Sequence, residues 1–199
     1  MKKIITATIL FGSIWGLLEC SLGDWLHGYA LSFITASVAI FIMAISRRLF
    51  AQPGMQAGMA LIAGLLRYFN PIGGCLLCAS IAIVSEGIAF ELIWLLPWRR
   101  YESMKMKIGM GIVSFYTIYC TGYFAAQILT PIFAGRFYLA DLIAVTPKIL
   151  ASSTFAGIIG SFALPIAYLP FEAKMDEKYY YGIAYSLIIL CWLAILLGI

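Results

Sequence analysis

Residues 75–97 read CLLCASIAIVSEGIAFELIWLLP, an apolar run interrupted by two glutamates, Glu86 and Glu91. A bilayer is crossed by about 20 helical residues, so this run is long enough to span one. Working outward, apolar runs of similar character lie at about 4–23, 29–46, 55–72, 108–133, 148–170 and 179–198. The run at 55–72 is the weakest, because polar groups interrupt it early. The composition agrees: 63% of the 199 residues are apolar and 11% charged, with a mean hydropathy of +0.98. Soluble domains hold about 45–50% apolar and about 25% charged residues. The expected fold is therefore a single all-α domain over 1–199, a polytopic bundle of six or seven transmembrane helices. No polar stretch is long enough for a soluble catalytic domain, so any ATP hydrolysis must come from another chain.

The chain begins MKKIITATILFGSIWGLL, two lysines before an apolar run, but no small-x-small cleavage site follows. An uncleaved first transmembrane helix is expected. Basic residues then set the topology. With the N-terminus inside, Lys2, Lys3, Arg47, Arg48, Arg99, Arg100, Lys105, Lys107, Lys174 and Lys178 are cytoplasmic, while the external loops hold Arg136 and Lys148. This asymmetry follows the positive-inside rule and favours a cell-membrane protein whose third run truly crosses. It also accounts for the net charge of +4, leaving no basic face for nucleic acid. The segment at 134–148, AGRFYLADLIAVTPK, reads as an external loop or short amphipathic helix, either covering a cavity or merely connecting two spans.

Charged groups within spans cost about 2.5–3.5 kcal/mol each on insertion scales and so face a protein interior or a watery cavity. Glu19, Arg67 and Glu86 fall on three different spans, all toward the outer half. An arginine between two carboxylates is partly compensated, which makes the three a candidate binding site, with Asn70 beside Arg67. The alternative is a buried ion pair that only fixes helix packing. Glu91, nearer the cytoplasm, is expected to snorkel or to pair with Arg99 or Arg100. Trp15, one turn before Glu19, could line the same cavity, and Trp25 reads as an interface anchor.

His27 and Asp24 are too few to specify a metal site, and no metal or cofactor is expected. Cys75 and Cys78 form one C-x-x-C without a second pair, so they read mainly as small buried hydrophobes rather than as metal or redox ligands. Thr8, Gly12 and Gly16 recur every four residues on the first helix. Such a ridge lets another helix approach closely, whether from this chain or from another subunit.

Taken together, ATILFGSIWGLLECSLG, the Arg-Arg that closes the second helix, PGMQAGMALIAGLLRYFNP and PIGGCLLCASIAIVSEGIAFEL resemble the substrate-binding S components of energy-coupling factor transporters, over about residues 5–95. The resemblance implies a small, mostly six-helix subunit that binds a vitamin, a precursor or a metal ion at its outer face. It further implies that Thr8, Gly12 and Gly16 contact a membrane coupling subunit seated on cytoplasmic ATPases, and that the site lies near Glu19, Arg67 and Glu86, with Trp15, Asn70 and His27 nearby. The family's alanines are matched here by size only, seven apolar runs stand where six are usual, and no substrate-specific motif carries over. The histidine-led N-terminus that looks typical of the cobalt and nickel members is absent.

The expected function is uptake of a small solute, captured from outside and energised by partner ATPases, with no reaction of its own. The alternative is a stand-alone ion-coupled carrier or channel with Glu19 and Glu86 titrating, although no inverted repeat is evident. An intramembrane enzyme would need a nucleophile, base or metal cluster, and the chain has neither H-E-x-x-H nor G-x-S-x-G. A structural subunit of a larger complex is the remaining reading.

Overall fold

The computed structural model describes residues 2–29, 31–71, 75–95, 103–169 and 176–198. It is an all-α bundle. Helix α1 (Lys2–Leu18) runs into a π-helical turn (Glu19–Gly23) and the short α2 (Asp24–Gly28). There follow α3 (Ser32–Phe50), α4 (Met55–Phe69), α5 (Leu76–Leu95), α6 (Met104–Phe133), α7 (Leu139–Ala167) and α8 (Glu177–Leu197).

Among the described residues, six helical segments are long and apolar enough to cross a membrane. The exception is α4, whose fifteen residues reach only about 22 Å. The run expected at 55–72 is thus a helix of 55–69, shorter than its neighbours. Even so, α4 turns the chain around: it returns from the Arg47 end of α3 toward Arg67, and α5 then descends again. The turn between α3 and α4 is tight, with Ala51 in the left-handed region and Gly54 at φ +83° before the first turn of α4.

The helices close a ring in the order α1, α4, α5, α6, α7, α3, and α8 lies outside against α1. Small residues set the spacing, as expected where lipid offers no hydrophobic drive for helices to associate. A Cβ on Gly12 would meet the Met59 carbonyl at 2.8 Å, and one on Gly16 would meet Leu66 Cδ1 at 2.8 Å. A Cβ on Gly58 would lie 3.0 Å from Thr8 Cγ2. The ridge of Thr8, Gly12 and Gly16 is therefore filled by α4 of the same chain, which corrects its assignment to a coupling subunit. On the other side of α4, Gly64 meets α5, and Ser80 Oγ donates to the Gly64 carbonyl at 2.9 Å. Gly111 and Gly160 bring the backbones of α6 and α7 into contact. Trp192 of α8 donates its indole N–H to Ser13 Oγ at 2.9 Å, which seats α8 on α1.

One end of the bundle is basic: Lys2, Lys3, Arg47, Arg48, Lys105, Lys107 and Lys178 gather there, while Arg99, Arg100 and Lys174 lie outside the described residues. Arg48 donates to the Ala167 carbonyl at 2.7 Å and also to the Leu169 carbonyl, closing the C-terminal end of α7 with a cation, where a helix dipole favours one.

Arg47 turns inward instead. Its Nη1 donates to the Gln52 carbonyl at 2.8 Å, to Gln56 Oε1 at 3.3 Å and to Glu91 Oε2 at 3.4 Å. The other oxygen of Glu91 accepts the backbone N–H of Gln56 at 3.0 Å, meeting one of the otherwise orphaned donors in the first turn of α4. Gln56 Nε2 donates to Ser46 Oγ at 3.0 Å. Glu91 thus pairs with Arg47 from the end of α3; Arg99 and Arg100, the partners expected from the sequence, lie outside the described residues.

The segment at 134–148 is also corrected. It forms a short turn at 134–138 and then the first turns of α7, which continue through Pro147. It connects α6 to α7, and most of its residues are exposed.

Removing one partner of a buried ion pair strands the other, at a cost of about 3–5 kcal/mol. Arg47→Ala is expected to lower unfolding stability by about 3 kcal/mol or more in mixed-micelle denaturation. Arg136→Ala, at an exposed site on the α6–α7 turn, should change it little. Equal behaviour of the two variants would remove the network from the account of stability.

Candidate functional site

A cavity of ≈ 240 Å³ opens between the π turn, α3, α4, α5 and α6, at the end away from the basic cluster. Glu19, Arg67 and Glu86 all line it. Three helices deliver these charges by different means. Glu19 begins the π turn, a rare geometry that recurs at functional sites. A Cβ on Gly23, at the end of that turn, would lie 3.1 Å from Glu19 Oε2. Arg67 is in the last turn of α4 and is 3% exposed. Glu86 sits midway along α5, also 3% exposed.

Gly122 of α6 makes room for Glu86: a Cβ there would meet Glu86 Cγ at 2.5 Å and Oε1 at 2.9 Å. Measured along the helices, Arg67 is eleven residues above Gln56 and Glu86 five above Glu91. With Gln56 and Glu91 bonded at one level, a rise of 1.5 Å per residue places Glu86 about 9 Å deeper than Arg67. Glu86 is the floor of the cavity, and Arg67 and Glu19 stand nearer its mouth.

Neutral polar groups complete the wall. Ser32 and Thr35 line it from α3, and Tyr123 and Gln127 from α6. Tyr119, just below, is within 3.1 Å of Ser32 Oγ and stacks on Tyr123 with ring centroids 4.4 Å apart. These four lining residues were absent from the sequence-based site. A signal existed, since Tyr119, Tyr123 and Gln127 recur every four residues and form one polar stripe on an otherwise apolar helix.

The remaining candidates fall elsewhere. Trp15 is buried and lines a separate small recess with Leu18, Leu22 and Leu26, not the main cavity. Its indole N–H reaches Glu19 Oε1 at 3.4 Å, so it supports that carboxylate from behind. Asn70 is buried at the end of α4 but does not line the cavity. The side chains of His27 and Asp24 lie outside the described residues. Trp25 is exposed, as an interfacial anchor would be.

Cys75 and Cys78 line the cavity as a disulfide at the start of α5. Their reading as buried small hydrophobes is corrected, since Cys75 is exposed and the two sulfurs are joined. Cys20, Cys120 and Cys191 carry thiols.

No family model, curated protein or solved structure matches this chain. What the site offers is its own chemistry: two carboxylates, one guanidinium and a wall that includes Tyr123 around a small volume.

With the protein denatured without reductant, a maleimide reagent should label Cys20, Cys120 and Cys191 and leave Cys75 and Cys78 unmodified. All five should react after reduction. Labelling of Cys75 and Cys78 without reductant would remove the disulfide from the cavity wall.

Proposed function

We propose that this protein is the membrane-embedded binding subunit of an uptake system, capturing a small solute from outside and handing it on with the help of separate coupling and ATPase subunits. The observation that carries this reading is the convergence of Glu19, Arg67 and Glu86 on one cavity at the end of the bundle away from the basic residues. By the positive-inside rule that end faces outward. A disulfide beside the same cavity fits an oxidising, extracytoplasmic face, since cytosolic disulfides are rare.

The resemblance to S components of energy-coupling factor transporters supplies the role of the partners. Because Thr8, Gly12 and Gly16 are occupied by α4, a coupling subunit would dock on another face. Uptake in this reading involves no chemistry on the solute: a preformed cavity with few polar groups orients it, and movement is powered by the partner. The second reading, an ion-coupled carrier, draws on the depth of Glu86, a carboxylate in the middle of a span.

The test is recovery of the protein from native membranes in mild detergent, with mass spectrometry of what accompanies it. Paired ATPases and a second membrane subunit are the expected companions. Reproducible recovery without any ATPase would sink the uptake-subunit reading and favour the ion-coupled carrier. In reconstituted vesicles, Arg67→Ala is expected to reduce solute uptake about tenfold or more, the loss of one charge-assisted bond.

A further inference from the structure

Glu86 is the one charged cavity-lining residue for which the described residues supply neither hydrogen bond nor ion pair. It is 3% exposed, and it lines the floor of the ≈ 240 Å³ cavity. The contrast with Glu91, five residues along the same helix, is direct. Glu91 accepts from both Arg47 and the Gln56 N–H. A carboxylate buried in a membrane bundle without donors is costly unless it takes up a proton or is met by a positive charge.

The surroundings of Glu86 say what that positive charge belongs to. Tyr123 lines the same cavity and is stacked on Tyr119. Aromatic faces beside a carboxylate attract ammonium groups through the ring quadrupole. Gly122 lets α6 press close to the Glu86 carboxyl. Among the described residues no group of three His, Cys, Asp or Glu side chains is placed to hold a metal ion, which disfavours a chelated divalent metal.

Arg67, about 9 Å nearer the mouth, and Glu19 contribute one charge of each sign, so the cavity as a whole leaves one carboxylate to be matched. Its volume of ≈ 240 Å³ suits a small solute.

We propose that Glu86 is the acceptor for a singly positive group, and that the solute taken up is a small organic ammonium compound whose charged end sits at the floor between Glu86 and Tyr123. This rests on the uptake reading and names its substrate class. The same positive charge could be supplied by a coupling ion, sodium or lithium, and the experiment separates the two sources.

Purified full-length protein in lipid nanodiscs is titrated by thermal shift and calorimetry with defined probes. These are choline and butylammonium as cations, γ-aminobutyrate as a zwitterion, butyrate as an anion, butanol as a neutral compound, and sodium or lithium chloride against a bulky-cation background. Ammonium probes are expected to stabilise the wild type and to bind about tenfold to a hundredfold more weakly to Glu86→Gln. Glu177→Gln, at an exposed position on α8, should bind as wild type does. Tyr123→Leu should weaken choline more than sodium and serves as a second variant should Glu86→Gln fail to fold.

Stabilisation by sodium or lithium alone, lost in Glu86→Gln, would keep the cation site but assign it to a coupling ion, overturning the organic ammonium. Binding of butyrate or butanol that survives Glu86→Gln and is lost in Arg67→Ala would overturn the cation site while leaving solute capture intact. Absence of any cation effect up to millimolar concentrations would overturn it too. The uptake reading itself stands or falls separately, on the recovery of ATPase partners.

Discussion

The carboxylate of Glu91 joins three helices at one level. One oxygen faces Arg47 at the end of α3, and the other accepts the first-turn N–H of Gln56 on α4. In a bilayer interior, water is not there to satisfy a displaced partner, so this contact pins the vertical register of α3, α4 and α5 together. The depth of the cavity follows from it. Glu86 is placed a little over one turn above Glu91, and Arg67 three turns above Gln56. A slip of one residue along α5 would rotate Glu86 about 100° away from the cavity and turn Glu91 away from Arg47 at the same time.

The close approach of α4 to both neighbours is the second constraint. Gly12 and Gly16 on one side, and Gly64 on the other, let a helix too short to span a membrane sit inside the ring. Because α4 ends at Phe69, Arg67 stands at the cavity mouth and not at a lipid headgroup. The short helix and the buried arginine are thus one arrangement, in which the guanidinium finds protein and cavity where a longer helix would have carried it to the surface.

Much of this was legible from residue types alone. Charges in apolar runs are expensive enough to mark a protein interior, and Glu19, Arg67 and Glu86 do converge. The helical class and the basic end were legible for the same reason. What was not legible depended on pairing. Arg47 reads as a loop cation because it follows an apolar run, whereas it is buried and bonded to Glu91. The ridge of Thr8, Gly12 and Gly16 signals close approach without naming the approaching helix. The segment at 134–148 looks too polar to span, and a proline at 147 looks like a boundary, yet α7 continues through it with its crown exposed. Trp15 was placed near Glu19 by spacing, correctly, but its ring points behind the carboxylate.

The unequal heights of the helices shape the approach to the cavity. Beyond Gln127, α6 rises six more residues to Phe133, about 9 Å, and ends with exposed Ile132 and Phe133. Beyond Arg67, α4 adds only Tyr68 and Phe69, about 3 Å. On the α6 side the wall therefore continues as an apolar helix end, whereas on the α4 side the helix stops close to Arg67. The two walls thus offer unlike chemistry to whatever enters between them: apolar side chains toward the end of α6, and a charged one at the end of α4.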